Sequence, residues 1–350
     1  MATVIDDMAH SSLSKAVDLV LFDTKKRTRD QRTIWEAIRM RFLLLREWWH
    51  VLQPAKVTIA HIHTCSGLSF FLDSLYMMLA RIRGVPAALH IHGAKFDEFF
   101  DGLSWPGKRV VRFLANRASR VIVLSGEWER ALREQFPKAR FAVIENGVSQ
   151  APLIDVKKDS SVITVLFLGN LCHRKGVMDL ISSARDLPPY VRIVLVGGEE
   201  EPGMTEKVKR FLEQESLEER VLLAGPATGI EKFRWLRSAD IFALPSYAEG
   251  VPISMLEALA VGLPAVVTPV GGIPSVLTDK EHALFVQPGD RAALVSAITR
   301  LANDENLRRT LGETARAHVM ENFGVERSAS KYLQVYRELK PRLADRGLPL

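Results

Sequence analysis

The chain has 350 residues, with 47 Lys+Arg against 41 Asp+Glu for a formal net charge of +6, and is 47% apolar and 25% charged. These proportions exclude wholesale disorder, a collagen-like repeat and a coiled coil, and the length supports about two domains, each with its own core. Cys65 and Cys172 are the two cysteines and stand far apart, so neither a disulfide framework nor a zinc cluster is expected, and the default compartment is reducing and cytoplasmic. The apolar stretch Leu68–Ile82 is interrupted by Asp73, and no run reaches the roughly 18–20 residues that span a bilayer. The start, MATVIDDMAHSS, is polar and acidic, unlike a signal peptide.

In chain order, short β-branched runs alternate with longer amphipathic segments. Val17–Phe22, Val57–Ile62, Ala87–Ile91, Val121–Leu124 and Val143–Ile144 read as strands in the first half. Ile163–Leu168, Arg192–Val196, Val221–Leu223, Ile241–Leu244 and Ala265–Thr268 do so in the second. Nearly continuous apolar strands imply burial on both faces. Helices are expected at Thr33–Leu52, Gly176–Ala184, Met204–Glu215, Ile230–Arg237 and Ser254–Val261. This alternation predicts an α/β protein with parallel sheets covered by helices. The polar stretch Gln150–Ser161 marks a boundary. The expected organisation is a domain over 1–150, a second over 151–322, and a C-terminal helix and tail over 323–350 that packs back toward the first. Ligand is expected at the carboxyl ends of the strands, in a cleft between the two domains.

Eight basic residues fall between Lys25 and Arg46, namely Lys25, Lys26, Arg27, Arg29, Arg32, Arg39, Arg41 and Arg46. They form either a solvated helix face or a surface that meets anionic lipid or an anionic acceptor. Nucleic acid is not expected, because no zinc, helix-turn-helix or RNA-binding signature accompanies them. Phe42–Leu45, Trp48 and Trp49 lie in the same stretch. They either reach a membrane surface or cover the first sheet.

The most informative stretch is IFALPSYAEGVPISMLEALAVGLPAVVTPVGGIPSVL, Ile241–Leu277. A strand ends at Pro245, a loop carries Glu249, Gly250 and Val251, and Pro252 suits a first helical turn. Gly262 and Pro264 stop the helix. The N–H groups near Ile253, Ser254 and Met255 and the helix dipole favour phosphate. Glu249 and Glu257 beside such a site suit hydroxyls of a sugar or a ribose. The second stretch, FLGNLCHRKGVMDLISSA, takes a strand through Gly169 to Arg174-Lys175-Gly176 at a helix start. Two cations there oppose the dipole unless an anion neutralises them, as a diphosphate would.

Glu249 and Glu257 within this block, RKG after FLGN, and the first-half segments VTIAHIHTCSGLSFF, LHIHGAKFDEFF, RVIVLSGEWERAL and VIENGV resemble glycosyltransferase family 4, from roughly Val17 to the C-terminal helix. The resemblance implies a GT-B fold, two Rossmann-like domains facing across a cleft, and a retaining transferase that takes a UDP- or GDP-linked sugar without a cofactor or metal; no Asp-x-Asp pair is present. It further implies that Arg174 and Lys175 hold the diphosphate. Glu257 would bind the ribose, and Glu249 the donor sugar beside Gly250, Val251, Ile253 and Ser254. Gly169 and Gly197 would approach the nucleotide, His92 with Gly93 would line the cleft, and Asn146-Gly147 would enter the hinge.

The family often has Gly-Arg where Gly169-Asn170 stands. It also opens with a strand and a Gly-rich loop ahead of the strand matching VDLVLF, which the resemblance implies are lacking here. The expected acceptor is a saccharide or lipid-linked saccharide for surface polysaccharide or glycolipid, handled by a cytoplasmic protein peripheral at the inner face of the membrane. The alternatives are a nucleotide-sugar epimerase and a non-catalytic nucleotide-sugar-binding protein.

Overall fold

The computed structural model describes residues 2–24, 34–54, 56–93, 96–156, 158 and 161–340. The chain divides into two compact units, one of Met1–Glu145 with Ser328–Leu350 and one of Asn146–Arg327.

The first unit opens with helices α1 (Ala2–His10), α2 (Leu13–Ala16) and α3 (Ile34–Val51). It then alternates β1 (Ala60–Thr64), α4 (Leu68–Ile82), β2 (Ala87–Ile91), α5 (Phe96–Asp101), α6 (Trp105–Arg117), β3 (Arg120–Val123), α7 (Gly126–Gln135) and β4 (Phe141–Val143). The four strands are parallel in the order β1-β2-β3-β4. With right-handed crossovers, that monotonic order puts α4, α6 and α7 on one face of the sheet. Every residue of β2 is buried, as a strand covered on both faces must be. The α7 start is fixed by Ser125, whose hydroxyl accepts the Trp128 N–H at 3.2 Å, a cap that satisfies one otherwise orphaned donor.

The second unit holds β5 (Ile163–Leu168), a single 3-10 turn over His173–Lys175, α8 (Val177–Ser183), β6 (Val191–Val196), α9 (Met204–Glu215), β7 (Val221–Gly225), α10 (Gly229–Ser238) and β8 (Ile241–Leu244). It continues with α11 (Ile253–Ala260), β9 (Ala265–Val267), α12 (Ile273–Val276), β10 (Leu284–Phe285), α13 (Arg291–Asn303) and α14 (Glu305–Asn322). Its parallel sheet runs β10-β9-β8-β5-β6-β7. This is the doubly wound order, in which the chain leaves β5 toward one edge and later returns to β8 to build toward the other. Helix α9 buries Met204, Val208 and Leu212, one face at helical spacing. Asp290 and Asp304 cap α13 and α14 through the Ala293 and Leu307 N–H groups, each at 2.9 Å. The last helix, α15 (Val325–Leu339), belongs to the first unit from Ser328 onward.

The predicted strands at Ala87–Ile91, Ile163–Leu168 and Ile241–Leu244 coincide with β2, β5 and β8, and the other predicted strands shift by up to three residues. The exception is Val17–Phe22, where residues 17–24 form neither helix nor strand. Val20 and Leu21 are exposed, and the segment is pinned by Phe22, whose ring lies 5.1 Å from Trp48 and 6.2 Å from Tyr76. An apolar run becomes a strand only where a neighbouring strand offers its ladder, and this run is held by one aromatic anchor instead. Of the basic segment, residues 25–33 lie outside the described residues, while Arg39, Arg41 and Arg46 lie on α3.

Phe242 in the middle of β8 is fully buried. Phe242→Ala is expected to lower the stability of the second unit by about 3–5 kcal/mol, the usual cost of an aromatic-sized cavity. Denaturant unfolding would show this as an earlier transition of that unit with the first unit's transition unmoved.

Candidate active site

In a doubly wound sheet the crossovers diverge at the point where strand order reverses, which leaves a crevice at the carboxyl ends of the two central strands. Here those strands are β5 and β8. The loops that leave them carry the two sequence blocks singled out above, residues 169–176 after β5 and 245–252 after β8.

The structure joins these blocks through one buried carboxylate. Glu249 is 6% exposed. Its Oε1 accepts from Lys175 Nζ at 2.8 Å and from the Ser246 hydroxyl at 2.8 Å, and its Oε2 lies 3.5 Å from an Arg174 guanidinium nitrogen. The same guanidinium donates to the Ala248 carbonyl at 2.9 Å and reaches the Glu200 carboxylate at 3.4 Å. The Tyr247 N–H donates to the Arg174 carbonyl at 2.7 Å. Burial by itself would lower the Arg174 pKa, but Glu249 and Glu200 beside it raise it above the ordinary arginine value. Arg174 and Lys175 were expected to open a helix. They lie instead on the 3-10 turn, and α8 starts after Gly176. Glu249 and Glu200 supply negative charge beside them, so their position is balanced within the protein itself.

The backbone around Glu249 is fixed by the loop that leaves β9. Gly271 has φ +55°, and a Cβ there would sit 1.7 Å from the Glu249 carbonyl oxygen, so only glycine fits. The Gly272 N–H donates to the Gly250 carbonyl at 2.9 Å, and Thr268 donates its hydroxyl to the Ser246 carbonyl. At the other side of the crevice, a Cβ on Gly197 would lie 1.8 Å from the Gly169 carbonyl oxygen. The exits of β5 and β6 therefore touch backbone to backbone. Asn170 donates to Glu200 at 3.1 Å.

Glu257 lies on α11, 5% exposed, and is ion-paired with Lys232 of α10. Val251, Ile253 and Ser254 form the entry to α11, whose first-turn N–H groups have no intrahelical partner. Asn146 is buried and donates to the Val251 carbonyl at 2.8 Å. Contacts within the second unit thus join Arg174, Lys175 and Glu249 directly and set Gly169 against Gly197 and the Lys175 side chain, while Gly250, Val251, Ile253 and Ser254 follow Glu249 along the chain and Glu257 pairs separately with Lys232. Sequence reasoning did not find Ser246, Glu200, Thr268 or Lys232. Ser246 stands three residues before Glu249 and was open to notice. Lys232 stands 25 residues before Glu257, with no local pattern linking them. Cys172 is buried, and its thiol pKa is raised by that burial and by Glu200, which fits a passive residue.

His92 belongs to the first unit. Its backbone N–H donates to the Thr64 carbonyl at 2.8 Å, and its Nε2 lies 2.8 Å from His63 Nδ1. Burial holds its pKa down to about 3, so the ring is neutral.

The family model for glycosyl transferases group 1 matches residues 154–318, and that for Glycosyltransferase Family 4 matches residues 10–151. The chain belongs to these glycosyltransferases, with the family 4 model on the first part and the group 1 model on the second. It is 26% identical over 314 residues, 83% of this chain and 78% of the relative, to UDP-Gal:alpha-D-GlcNAc-diphosphoundecaprenol alpha-1,3-galactosyltransferase of Escherichia coli. It is 28% identical over 324 residues, 81% of this chain and 79% of the relative, to alpha-maltose-1-phosphate synthase of Mycolicibacterium smegmatis. To D-inositol 3-phosphate glycosyltransferase of Corynebacterium efficiens it is 31% identical over 191 residues, 53% of this chain but 45% of that relative's length. Among solved structures, sucrose-phosphate synthase of Thermosynechococcus elongatus superposes with TM-score 0.73 at 22% identity, over 89% of this chain and 81% of that one. HepE of Anabaena in complex with UDP-glucose gives 0.69 at 21% identity, over 87% and 84%. The fold is GT-B, built of two parallel-sheet α/β domains.

Lys175 and Glu249 form a buried pair whose loss is testable apart from activity. Lys175→Met should destabilise the second unit by about 3–5 kcal/mol, because a buried carboxylate loses a partner. Glu249→Gln in the same chain should return part of that loss. The double-mutant cycle read by denaturant unfolding should give a coupling of about 0.5–3 kcal/mol, whereas additive effects would mean the pair is not coupled.

Proposed function

We propose that the chain transfers a sugar from a UDP- or GDP-linked donor to an acceptor hydroxyl with retention of configuration. The observation that carries this reading is the convergence of Arg174 and Lys175 on Glu249 at the switch point, within a chain of this family. The C1–O bond to the diphosphate breaks as the acceptor oxygen bonds C1 from the same face, and the acceptor proton leaves with the departing phosphate oxygen. Negative charge grows on the diphosphate during this step. Arg174, Lys175 and the first-turn N–H groups of α11 supply fixed donors for it, so no metal or cofactor is invoked for the transfer. Glu249 orients both cations and meets the donor sugar. Glu257, set back on α11 and held by Lys232, binds the ribose. Gly169 and Gly197 let the backbone approach the nucleotide, and His92 serves as a neutral hydrogen-bonding group toward the sugar.

The names of similar proteins support the donor and the reaction class. HepE was solved with UDP-glucose, and the Escherichia coli relative is named for UDP-Gal as donor. Relatives aligned over about four-fifths of the chain are named as a transferase and a synthase, which favours transfer over epimerisation or binding alone. A lipid-linked saccharide is the acceptor we favour, for a surface polysaccharide or glycolipid, and a surface of the first unit supports it. Trp48 is buried, donating its indole N–H to the Tyr76 carbonyl at 3.0 Å, and Trp49 lies under the Arg83 guanidinium. Trp35, Ile38 and Phe42 remain exposed at helical spacing on α3, at 80%, 54% and 69%. Leu68, Leu75 and Ile82 are exposed in a second line along α4, and Trp105 and Phe113 on α6 lie under Arg109 and Arg117. With the exposed Arg39 and Arg46 of α3, this face suits the anionic inner leaflet of a membrane. Among the described residues no helix is long and apolar enough to cross one.

Removing Arg174 and Lys175 together by alanine substitution should lower the turnover number by at least about 10²–10³-fold, with unchanged turnover removing both from the site. Glu257→Gln should raise donor KM more than it lowers kcat, because the ribose does not react, whereas Glu249→Gln should mainly lower kcat. Single-turnover rates and donor Kd for both variants check the assignment. Vesicles containing anionic lipid should bind the chain less as salt rises, since charges beyond about 10 Å are screened at 0.1 M. The double variant Trp35→Ser with Phe42→Ser should lose that binding, and equal binding by the variant would remove α3 from the membrane contact.

A further inference from the structure

Around His92 the first unit carries a second concentration of chemistry, and three of its histidines, His61, His63 and His90, have no part in the sugar transfer. His61 and His63 stand two residues apart on β1, so their side chains share one face of the sheet. His90 on β2 is the register partner of His63, and His92 follows on the same face. The four imidazoles form a continuous stack, with ring centroids 4.4 Å apart for His61 and His63, 5.0 Å for His63 and His90, and 3.9 Å for His90 and His92. Tyr332 and Tyr336 of α15 lie against the stack, with ring centroids 5.5 Å and 5.8 Å from His61.

The hydrogen bonds within this stack do not close. A neutral imidazole has one N–H and one lone pair. His61 Nδ1 lies 2.6 Å from the Tyr336 hydroxyl and His61 Nε2 lies 3.3 Å from His90 Nδ1. His63 Nδ1 is joined to His92 Nε2. His90 is fully buried, and its Nε2 has no hydrogen-bond partner. A buried polar atom left unpaired is costly, and in a native fold it calls for a ligand or a bound water.

We propose that His61, His63 and His90 bind a borderline transition-metal ion, Zn²⁺ by class, with Tyr336 and His92 orienting the ligand rings. One ring nitrogen from each of the three histidines lies within 4.8 Å of the others. The 3.3 Å between His61 Nε2 and His90 Nδ1 matches the edge of a tetrahedron with metal–nitrogen bonds of about 2.0–2.1 Å; with His90 bound through Nδ1, its unpaired Nε2 carries the proton and is left for a bound water. The ligand set is all nitrogen with no carboxylate, which suits Zn²⁺, Co²⁺, Ni²⁺ or Cu²⁺ and not Mg²⁺ or Ca²⁺. The Tyr336 hydroxyl on His61 Nδ1 is the kind of contact that fixes a ligand ring and its tautomer. Bound there, the ion joins β1 to β2 and, through His61 and Tyr336, holds α15 on the sheet. It strengthens the first unit and takes no part in the donor chemistry of the second.

The test uses the full chain, free of any affinity tag and stripped with a chelator. Titration with Co²⁺, followed by visible absorption, should give an intense tetrahedral spectrum that saturates at one equivalent, and Zn²⁺ should displace it while Mg²⁺ does not. Zn²⁺ should also raise the melting temperature of the first unit. His63→Gln should abolish the spectrum, and Tyr336→Phe, which removes only a hydroxyl, should weaken binding by about 10–100-fold. His173→Gln, at an exposed histidine paired with Glu201 in the second unit, should change neither. Absence of the one-equivalent spectrum in the parent chain overturns the proposal, as does a spectrum equally strong in His63→Gln. Should His63→Gln fail to fold by circular dichroism, Tyr336→Phe decides alone: unchanged affinity there overturns the site.

Discussion

The reversal of strand order between β5 and β8 governs the second unit. Two neighbouring strands send their chains in opposite directions, and beyond the end of the ladder the loops that leave them are joined by one backbone bond, from the Tyr247 N–H to the Arg174 carbonyl, and by side chains. The Lys175–Glu249 pair supplies that link, buried with Ser246 on the same carboxylate oxygen and Arg174 on the other. A carboxylate so deep is stable only when its lone pairs are occupied. The features around it answer that requirement. Gly271 is glycine because the Glu249 carbonyl occupies the space of its Cβ, and Thr268 ties down the strand exit at Ser246. The group that would orient the cations for a departing diphosphate is also the group that holds the crevice in shape.

The first unit answers the same problem of covering a parallel sheet in two different ways. On the helical side, α4 buries Phe70, Tyr76, Met77 and Ala80 while leaving Leu68, Leu75 and Ile82 in solvent. On the other side, imidazoles and two tyrosines stand where aliphatic side chains would serve. Burial removes the charge from the histidines, so the layer behaves as a packed aromatic one that still carries nitrogen lone pairs. Neither choice follows from the need to fold, since a leucine-rich layer and a polar helix face would fold as well.

Much of the fold was legible in the amino-acid order. Strands buried on both faces leave short β-branched runs, and β2, β5 and β8 were found at their observed bounds. The capped and glycine-punctuated blocks around Arg174-Lys175 and Glu249–Glu257 were legible because backbone constraints of that kind act over a few residues. The strand expected at Val17–Phe22 was misread for a physical reason: periodicity reports apolar spacing and says nothing about whether a ladder partner is at hand. The apolar residues of α3 illustrate the same limit. Trp48 turned inward and Phe42 outward, a division that depends on where α4 lies and not on either residue's type.

By itself, then, the sequence determined the α/β class, the two-domain plan and the family, and it singled out the loops after β5 and β8, since each is written in local spacing. Tertiary structure alone decided which charges meet. Lys175 and Glu249 are 74 positions apart, Lys232 and Glu257 are 25 apart, and His61 finds Tyr336 across 275 positions. Such contacts depend on strand order and register, which place distant segments side by side. No pattern within a segment encodes the partner that the fold will bring to it.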